Sequence, residues 1–370
     1  MKIMTILGTR PEIIRLSCVI DKLDGLADSH VVVHTGQNYD PGLSEIFFDE
    51  LRVRPPERYL GVRGETFGEQ LSQIVALTER ALIELAPDRV LILGDTNSAL
   101  SAVVAKRRGI PVYHLEAGNR CHDDRVPEEI NRRIVDHSSD VLMPYTQRSR
   151  MNLLREGIDG QRIFVVGNPI YEVLQRHQEQ IQASDVHARL GIEPAKFFLA
   201  TMHREENVDV EPRVRSVMSA FTALHRQYGF PVICSLHPRT RKRMEAFGIP
   251  SDQPGVRFVS PLGFFDFVAL EGAAFCVLSD SGTVQEECAI LRVPNVTIRD
   301  VTERPETIEC GSNILSGAET DSIVRCVAAA RRAERSWTVP TEYLAENVSD
   351  TVCKIVLGFH GGASRVGTAG

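Results

Sequence analysis

Residues 67–116, FGEQLSQIVALTERALIELAPDRVLILGDTNSALSAVVAKRRGIPVYHLE, contain the pattern that decides the fold. In Phe67–Leu85 apolar residues recur near every 3.6 positions, which predicts an amphipathic helix that stops at Pro87. Residues 90–93 and 112–115 are instead short and continuously apolar, as is typical of parallel strands that are covered on both faces. This alternation of strands and helices predicts an open, doubly wound α/β sheet.

The same alternation extends in both directions from this stretch and then begins again. A first set of strands is predicted at residues 31–34, 90–93, 112–115, 141–143 and 163–166, after an initial strand at the N-terminus. A second set is predicted at residues 197–202, 232–236, 257–259, 275–278 and 295–298, with helices at 214–226 and 284–291 between them. Gly167-Asn168-Pro169 between the two sets is a plausible hinge. We therefore expect two Rossmann-like, doubly wound domains that face each other across a cleft.

The predicted domain boundaries follow from the point at which the alternation of strands and helices begins again. Residues 1–168 form the first domain and residues 169–345 the second. A last amphipathic helix within residues 346–358 is expected to return to the first domain. Residues 359–370, rich in Gly, Ala and Ser, are expected to form a flexible tail.

Composition excludes several classes of protein. The chain has 370 residues and a net charge of −7, which argues against a dedicated nucleic-acid-binding protein. No run of about 18 apolar residues predicts a membrane span, and the N-terminus does not resemble a signal peptide. The eight cysteines form no CxxC pair, so we expect reduced thiols, no zinc site and a cytoplasmic location.

Charged residues follow the predicted strands of the first domain. Arg10, in Gly8-Thr9-Arg10-Pro11, lies near a helix N-terminus, where an anion is favoured, although a plain turn with a solvated arginine also fits. Asp95 follows the strand at 90–93, where it is either a functional carboxylate or a helix N-cap.

Two further carboxylates are expected at the same edge of the sheet. Glu116 ends the strand at 112–115, and Glu128 opens a helix on which Arg132 is four residues later. A surface salt bridge between Glu128 and Arg132 is the simpler interpretation. If Asp95, Glu116 and Glu128 gather in one place, their mutual repulsion should raise at least one pKa and permit proton transfer near neutral pH.

The second domain carries groups that suit a diphosphate. His203 and Arg204 end its first strand, and Ser281 with Gly282 opens a helix whose N–H groups favour a phosphate. Glu287, farther along that helix, could accept hydrogen bonds from ribose hydroxyls, and the segment around Arg304 adds a cation. Carboxylates in one domain and anion-binding groups in the other point to a nucleotide-sugar enzyme with acid/base chemistry on the sugar.

Seven motifs in order carry a resemblance to a known family. GTRPE, LGDTN, HLEAGNR, VPEEINR, MHREEN, SDSGTVQEE and VTERPE, within residues 1–358, resemble the non-hydrolysing UDP-N-acetylglucosamine 2-epimerases. The resemblance implies a two-domain GT-B-like fold, a homodimer, a UDP-sugar substrate, UDP as a bound intermediate, and no metal or nicotinamide cofactor.

The resemblance also implies a reaction and roles for residues. The proton at C2 of the sugar is removed while UDP leaves C1, and the resulting 2-acetamidoglucal takes UDP back and is reprotonated on its other face. The implied acid/base and active-site residues are Asp95, Glu116, Glu128 and His203. The implied UDP- or phosphate-contacting residues, with an aromatic side chain near uracil, are Arg10, Arg15, Arg132, Phe267, Ser281, Gly282, Glu287 and Arg304.

The chain departs from the family pattern at several places. Other members have Lys at Arg15 and Gly at Thr283. Residues 34–40 lack the Gln-His-Arg-Glu run with which some bacterial members bind an activating UDP-GlcNAc. Residues 117–128 are closer in length to the branch that makes UDP-N-acetyl-L-fucosamine from UDP-6-deoxy-N-acetyl-L-talosamine.

Five candidate functions are therefore compared. The leading one is interconversion of UDP-GlcNAc and UDP-ManNAc. The alternatives are the epimerase of the L-fucosamine branch, a hydrolysing epimerase that releases ManNAc and UDP, and a glycosyltransferase of the same fold. A non-catalytic nucleotide-sugar-binding protein fits least well, because every acid/base position is filled.

Overall fold

The computed structural model describes residues 1–37, 41–332 and 335–358. For residues 41–44 it describes the backbone and not the side chains. The predicted flexible tail at 359–370 and residues 38–40 of the segment at 34–40 lie outside the described residues. The chain divides into two compact units, residues 1–176 with 342–370 and residues 177–341. None of the helices described here has the length and hydropathy of a membrane span.

Unit 1 contains a six-stranded parallel sheet with helices between its strands. Its strands are β1 (Lys2–Leu7), β2 (Ser29–His34), β3 (Arg58–Tyr59), β4 (Arg89–Leu93), β5 (Val112–Leu115) and β6 (Val141–Met143). Its helices up to residue 176 are α1 (Arg10–Leu26), α2 (Pro41–Glu50), α3 (Phe67–Leu85), α4 (Ser101–Arg107), α5 (Pro127–Ser138), α6 (Gln147–Arg155) and α7 (Ile170–Arg176). The strand order is β3-β2-β1-β4-β5-β6, so the direction of winding reverses between β1 and β4.

Unit 2 repeats this topology. Its strands are β7 (Phe198–Met202), β8 (Val232–Leu236), β9 (Val256–Val259), β10 (Cys276–Ser279), β11 (Asn295–Thr297) and β12 (Asn313–Leu315). Its helices are α8 (Gln178–Gln182), α9 (Val186–Leu190), α10 (Glu205–Val208), α11 (Glu211–Tyr228), α12 (Pro238–Ala246), α13 (Phe264–Ala273), α14 (Gly282–Leu291), α15 (Pro305–Glu309) and α16 (Thr320–Arg332). The order β12-β11-β10-β7-β8-β9 places the reversal between β10 and β7.

The chain then returns to unit 1 as α17 (Val348–Leu357), which packs against α1. Its inward face includes Val352 and Cys353, and Lys22 of α1 pairs with Asp350 at 2.7 Å. The sequence placed the domain boundary after residue 168, before α7. The structure places α7 in unit 1 because that helix also packs on α1.

Continuously apolar strands are buried on both faces, as their composition predicts. In β7, Phe198, Ala200 and Met202 belong to one hydrophobic core, whereas Leu199 belongs to another. Successive side chains of a strand point to opposite faces, so each face of this sheet carries its own core. The predicted α/β class with parallel, doubly wound sheets is confirmed.

Some predicted elements differ from the structure. Residues 163–166 are not a strand. Phe164 and Val166 donate backbone hydrogen bonds to Leu142 and Pro144, but the pairing with β6 amounts to an isolated bridge between Ile163 and Leu142. The two-residue edge strand Arg58–Tyr59 and the strand β12 were not predicted. All eight cysteines are free thiols, six of them buried.

Candidate functional site

In unit 1 the charged residues singled out from the sequence follow strands at the point where the sheet reverses direction. Arg10 begins α1 directly after β1, Asp95 follows β4, and Glu116 follows β5. The carboxyl ends of these strands lie side by side, since Leu93 pairs with Leu115 in the parallel register. In open α/β sheets this is the position where ligands bind.

Glu116 is buried and held by three donors. Its Oε2 accepts hydrogen bonds from Arg15 Nη1 at 2.5 Å and from the Tyr145 hydroxyl at 3.1 Å, and its Oε1 accepts one from Asn119 at 3.3 Å. Its φ is +70°, a left-handed conformation that is uncommon for a residue other than glycine. Strain of this kind persists where surrounding contacts over-determine the geometry, as they do at functional sites.

Asp95 is paired with a buried arginine. Arg132 Nη2 lies 2.5 Å from Asp95 Oδ2, and Arg132 Nη1 lies 2.8 Å from Glu129 Oε2. Glu129 is fully buried and also accepts from the backbone N–H of Cys121 and His122. Burial alone would raise the pKa of Glu129, but these hydrogen bonds and Arg132 bring it below its ordinary value.

Glu129, the residue after Glu128, is a partner of Arg132 that the sequence analysis did not single out. Glu128 itself is half-buried in the first turn of α5. Arg10 packs its guanidinium 5.8 Å from the Phe47 ring, and burial lowers the pKa of Arg10. The guanidinium of Arg15 forms an ion pair with the Glu116 carboxylate, so its positive charge acts on that group.

Glu12 is a further carboxylate of this edge, and the sequence analysis did not single it out. Its Oε2 accepts from the Gly8 N–H at 2.9 Å and the Thr9 hydroxyl at 2.7 Å, and its Oε1 accepts from the Thr96 hydroxyl at 3.1 Å. Burial raises the pKa of Glu12 to about 7 against the opposing effect of these hydrogen bonds. Glu12 thus connects the turn after β1 to the loop that carries Asp95.

A buried polar network supports the loops of Asp95 and Glu116. His114 of β5 lies between Asp136 Oδ1 and the Gly94 carbonyl oxygen, with both ring nitrogens 2.8 Å from these oxygens. Asp136 also accepts from Arg120, at 2.7 Å. Burial acts to raise the pKa of Asp136, but His114 and Arg120 lower it overall.

In unit 2 the corresponding edge is organised around Asp280, which follows β10. The fully buried carboxylate accepts hydrogen bonds from the backbone N–H groups of His203 and Arg204, at 3.1 and 3.0 Å, and from the Asn207 amide at 3.1 Å. The imidazole of His203 remains about a third exposed, with Nδ1 3.3 Å from Asp280. Asp280 therefore fixes the backbone turn that presents His203.

The N-terminus of α14 is open on its first turn. Ser281 is the N-cap residue, but its side chain caps no backbone N–H; its hydroxyl lies 3.1 Å from that of Thr283. A Cβ on Gly282 would lie 2.4 Å from Glu303 Oε1, so the close approach requires glycine. Such a helix N-terminus with free donors suits an anion.

Buried arginines and carboxylates surround this turn. Arg304 donates from Nε to Glu286 Oε1, and Arg299 pairs with Glu303 at 2.8 Å. Arg204 Nη2 lies 3.7 Å from the same Glu303. The structure therefore places Arg304 beside Ser281 and Gly282, as the sequence predicted for one anion-binding region.

Glu287 and Phe267 lie on neighbouring helices of unit 2. Glu287, in the second turn of α14, is nearly buried, and the half-buried Phe267 of α13 packs against the apolar core beneath it. Glu271 of α13 is fully buried, and its burial and the charge of Glu287 raise its pKa well above the ordinary range. Among the described residues, no group of three or more His, Cys, Asp or Glu side chains has the arrangement of a metal site.

The supporting residues were missed because their roles depend on tertiary contacts. Glu12, Glu129, Asp280 and Glu303 are carboxylates one or two positions from residues that were singled out, and only the structure shows that they are buried. Tyr145, two residues after β6, follows the same strand-end rule as Asp95 and Glu116. That rule could have identified Tyr145 from the sequence.

Comparisons with known proteins agree with these features. The family model described as UDP-N-acetylglucosamine 2-epimerase matches residues 22–357. The chain is 40% identical to the UDP-N-acetylglucosamine 2-epimerase of Methanocaldococcus jannaschii, over 92% of this chain and 95% of that protein. It is 37% identical to the UDP-2,3-diacetamido-2,3-dideoxy-D-glucuronate 2-epimerase of Pseudomonas aeruginosa, over 88% and 90% of the two chains.

A solved structure also matches nearly the whole chain. The crystal structure of the M. jannaschii UDP-GlcNAc 2-epimerase in complex with UDP-GlcNAc and UDP superposes with a TM-score of 0.92 at 38% identity. The match covers 96% of this chain and 99% of the other. The GT-B-like α/β class that the sequence predicted is thereby confirmed.

Proposed function

The chain belongs to the UDP-N-acetylglucosamine 2-epimerase family of isomerases, as its seven motifs predicted, and we propose that it interconverts UDP-GlcNAc and UDP-ManNAc. The observation that carries this proposal is the buried Glu116, held by Arg15 and Tyr145 at the reversal point of the first sheet. Asp95 lies at the end of the neighbouring strand. Two acid/base groups at one edge are what inversion at a C–H centre requires.

The proposed reaction removes the C2 proton to a carboxylate while the C1–O bond breaks and its electron pair leaves with UDP. The product of this step is a 2-acetamidoglucal. UDP oxygen then adds back to C1 as a second acid delivers a proton to the opposite face of C2, so that atoms and charge balance without a cofactor. Asp95, Glu116 and Glu128 are the proposed acid/base groups. General acid/base groups typically contribute about 10²–10⁴-fold to such rates.

Unit 2 supplies the proposed diphosphate site. The first turn of α14 at Gly282, which the Ser281 side chain does not cap, and Arg304, which is held by Glu286, suit the negative charge that UDP gains as it leaves. His203, presented by Asp280, is the proposed contact between diphosphate and sugar. Glu287 and Phe267 are proposed for ribose and uracil, and Arg10, Arg15 and Arg132 for electrostatic support of the reacting groups.

The choice among UDP-2-acetamido sugars is part of this proposal. UDP-GlcNAc is favoured because the M. jannaschii relatives carry that name at 38–40% identity. The L-talo sugar of the alternative branch and the diacetamido-glucuronate of the P. aeruginosa relative are the competing substrates. We also propose a cytoplasmic homodimer, which sedimentation equilibrium and cell fractionation would test.

The test is proton NMR of the purified chain with UDP-GlcNAc in deuterated water without any additive. The proposal expects deuterium at C2 together with a growing UDP-ManNAc signal. Free ManNAc and UDP accumulating in equal amounts would instead assign the hydrolysing reaction. Absence of exchange with UDP-GlcNAc, but exchange with the L-talo or diacetamido sugar, would reject UDP-GlcNAc as the substrate and still support epimerisation at C2.

A further inference from the structure

A pair of carboxyl groups lies inside unit 2, beneath the proposed nucleotide site. Glu271, in the last turns of α13, is fully buried, and Glu287 of the adjacent α14 is 5% exposed. The two carboxyl groups are in hydrogen-bonding contact, and Glu287 acts on Glu271 as a like charge. Two buried carboxylates cannot both be ionised in contact without a large energetic cost, so one of them holds a proton.

The surroundings of Glu271 determine where that proton lies. Its Oε1 accepts from the Cys288 thiol at 3.3 Å, and its Oε2 receives no hydrogen bond from any donor of the described residues. Burial raises the pKa of the Cys288 thiol well above its ordinary range, so Cys288 remains a donor. An ionised Glu271 would leave Oε2 buried without a donor, whereas a neutral Glu271 supplies its own proton there.

The groups that act on Glu271 are Glu287 and Cys288 of α14, and Cys288 is in turn influenced by Cys276 of β10. The elements α8 and α9 also pack on α13, but their charged and aromatic contacts are with its first turn. Those contacts are His177 with Phe265 and Arg189 with Asp266.

We propose that Glu271 is a positioning residue for nucleotide binding: as a neutral carboxylic acid it donates a hydrogen bond to Glu287 and holds that carboxylate ionised and aimed at the ribose hydroxyls. This inference rests on the proposed function, because it takes Glu287 as the group that meets the ribose. The neutral acid gives the almost buried Glu287 carboxylate a hydrogen-bond donor, and Glu287 has further lone pairs that can accept from a diol. Neither role was assigned to Glu271 by the sequence motifs.

The experiment measures binding of UDP and of 2′,3′-dideoxy-UDP to the full chain by titration calorimetry. Glu271→Leu should weaken UDP binding about tenfold or more, the usual effect of losing a hydrogen bond to a charged group. The same variant should change the affinity for 2′,3′-dideoxy-UDP less than about threefold, because that ligand lacks the hydroxyls that Glu287 would meet. Glu271→Gln, which keeps a donor for Glu287 and an acceptor for Cys288, should restore UDP affinity to within about threefold of the unsubstituted chain.

Several outcomes would overturn the inference. An equal loss for both ligands would make Glu271 a general structural residue, and Glu271→Gln binding as weakly as Glu271→Leu would remove the donor role. If Glu271→Leu does not fold, infrared difference spectra of the unsubstituted chain and Glu271→Gln decide the question. The C=O stretch of a protonated carboxylic acid must disappear on substitution, and its absence from the unsubstituted chain would contradict the proposal. Failure of the unsubstituted chain to bind UDP would instead reject the proposed function.

Discussion

Arg15 and Glu116, 101 positions apart in the sequence, form a buried ion pair with a separation of 2.5 Å. The arginine comes from the middle of α1 and the glutamate from the end of β5. Breaking a buried pair on one side leaves an uncompensated charge, which costs about 3–5 kcal/mol. The pair thus couples the proposed catalytic group to the stability of unit 1.

Arg15→Met should lower the free energy of unfolding by about 3–5 kcal/mol, because Glu116 would lose its counter-charge in a buried position. Arg15→Lys keeps the charge and should lose less, although the planar fork of arginine is gone. Urea unfolding measures both. Arg108→Met is the matched control, since Arg108 forms an exposed pair with Glu79 and should cost no more than about 1 kcal/mol. Equal effects at residues 15 and 108 would contradict the importance of burial.

Glu116→Gln should reduce epimerisation by about 10²-fold or more while UDP affinity changes little, because the amide keeps the shape but cannot take up a proton. Turnover is followed by NMR, and UDP affinity by calorimetry. Glu79→Gln, on the exposed surface of α3, should have no effect on either measurement. A Glu116→Gln variant with unchanged turnover would remove Glu116 from the acid/base groups.

Gly282→Ala should weaken UDP binding about tenfold or more, because the new Cβ would lie 2.4 Å from Glu303 Oε1 and displace either this buried carboxylate, which pairs with Arg299, or the first turn of α14. Gly272→Ala in α13 is the control. A Cβ there meets nothing within 4 Å, so UDP affinity should be unchanged. Equal UDP affinity in the Gly282→Ala and Gly272→Ala variants would show that the diphosphate does not bind at the first turn of α14.

Glu12 should make the stability of the chain depend on pH. Its pKa is raised from 4.5 to about 7 in the folded state, so its contribution is fully present below about pH 4.5 and is lost as the pH rises through about 7. Relative to Glu12→Gln, the unsubstituted chain should therefore lose about 3 kcal/mol of unfolding free energy between pH 4 and pH 8. Urea unfolding of both proteins across this range measures the difference. A constant difference would show that Glu12 does not titrate in the folded state.

Where the hydrophobic periodicity is strong, the sequence predicted both the element and its first and last residues. The helix α3 is found at Phe67–Leu85, and Thr66 with Glu69 forms the capping box that begins it. The strand predicted at residues 163–166 was wrong because apolar composition does not show whether a segment beside an edge strand forms a regular ladder, and this one forms only an isolated bridge to β6. The edge strand Arg58–Tyr59 has no apolar pattern, since both side chains are exposed.

Prediction of the site residues from the sequence had similar limits. Strand-end logic located Asp95 and Glu116 correctly at one edge, because parallel register fixes the carboxyl ends together. It did not identify the buried Glu129, because neighbouring residues on a helix point about 100° apart and the sequence alone does not show that Glu129 faces Arg132. The left-handed φ of Glu116 and the inward orientation of Glu12 depend on partners such as Arg15 and Thr96, which are far apart in sequence.

The return of the chain to α1 as α17 has a consequence for the order of folding during synthesis. The inward face of α17 completes the packing around α1, with the Cys353 thiol 3.8 Å from the Val19 carbonyl oxygen. Residues 1–176 of unit 1 are therefore synthesised before unit 2, but the packing of unit 1 is completed only after unit 2, when α17 has emerged from the ribosome. Unit 2 is one continuous segment and can fold while unit 1 still waits for its last helix. A truncation before α17 leaves an exposed apolar groove along α1. A stop codon after unit 2 therefore destabilises unit 1, most of which is synthesised before unit 2.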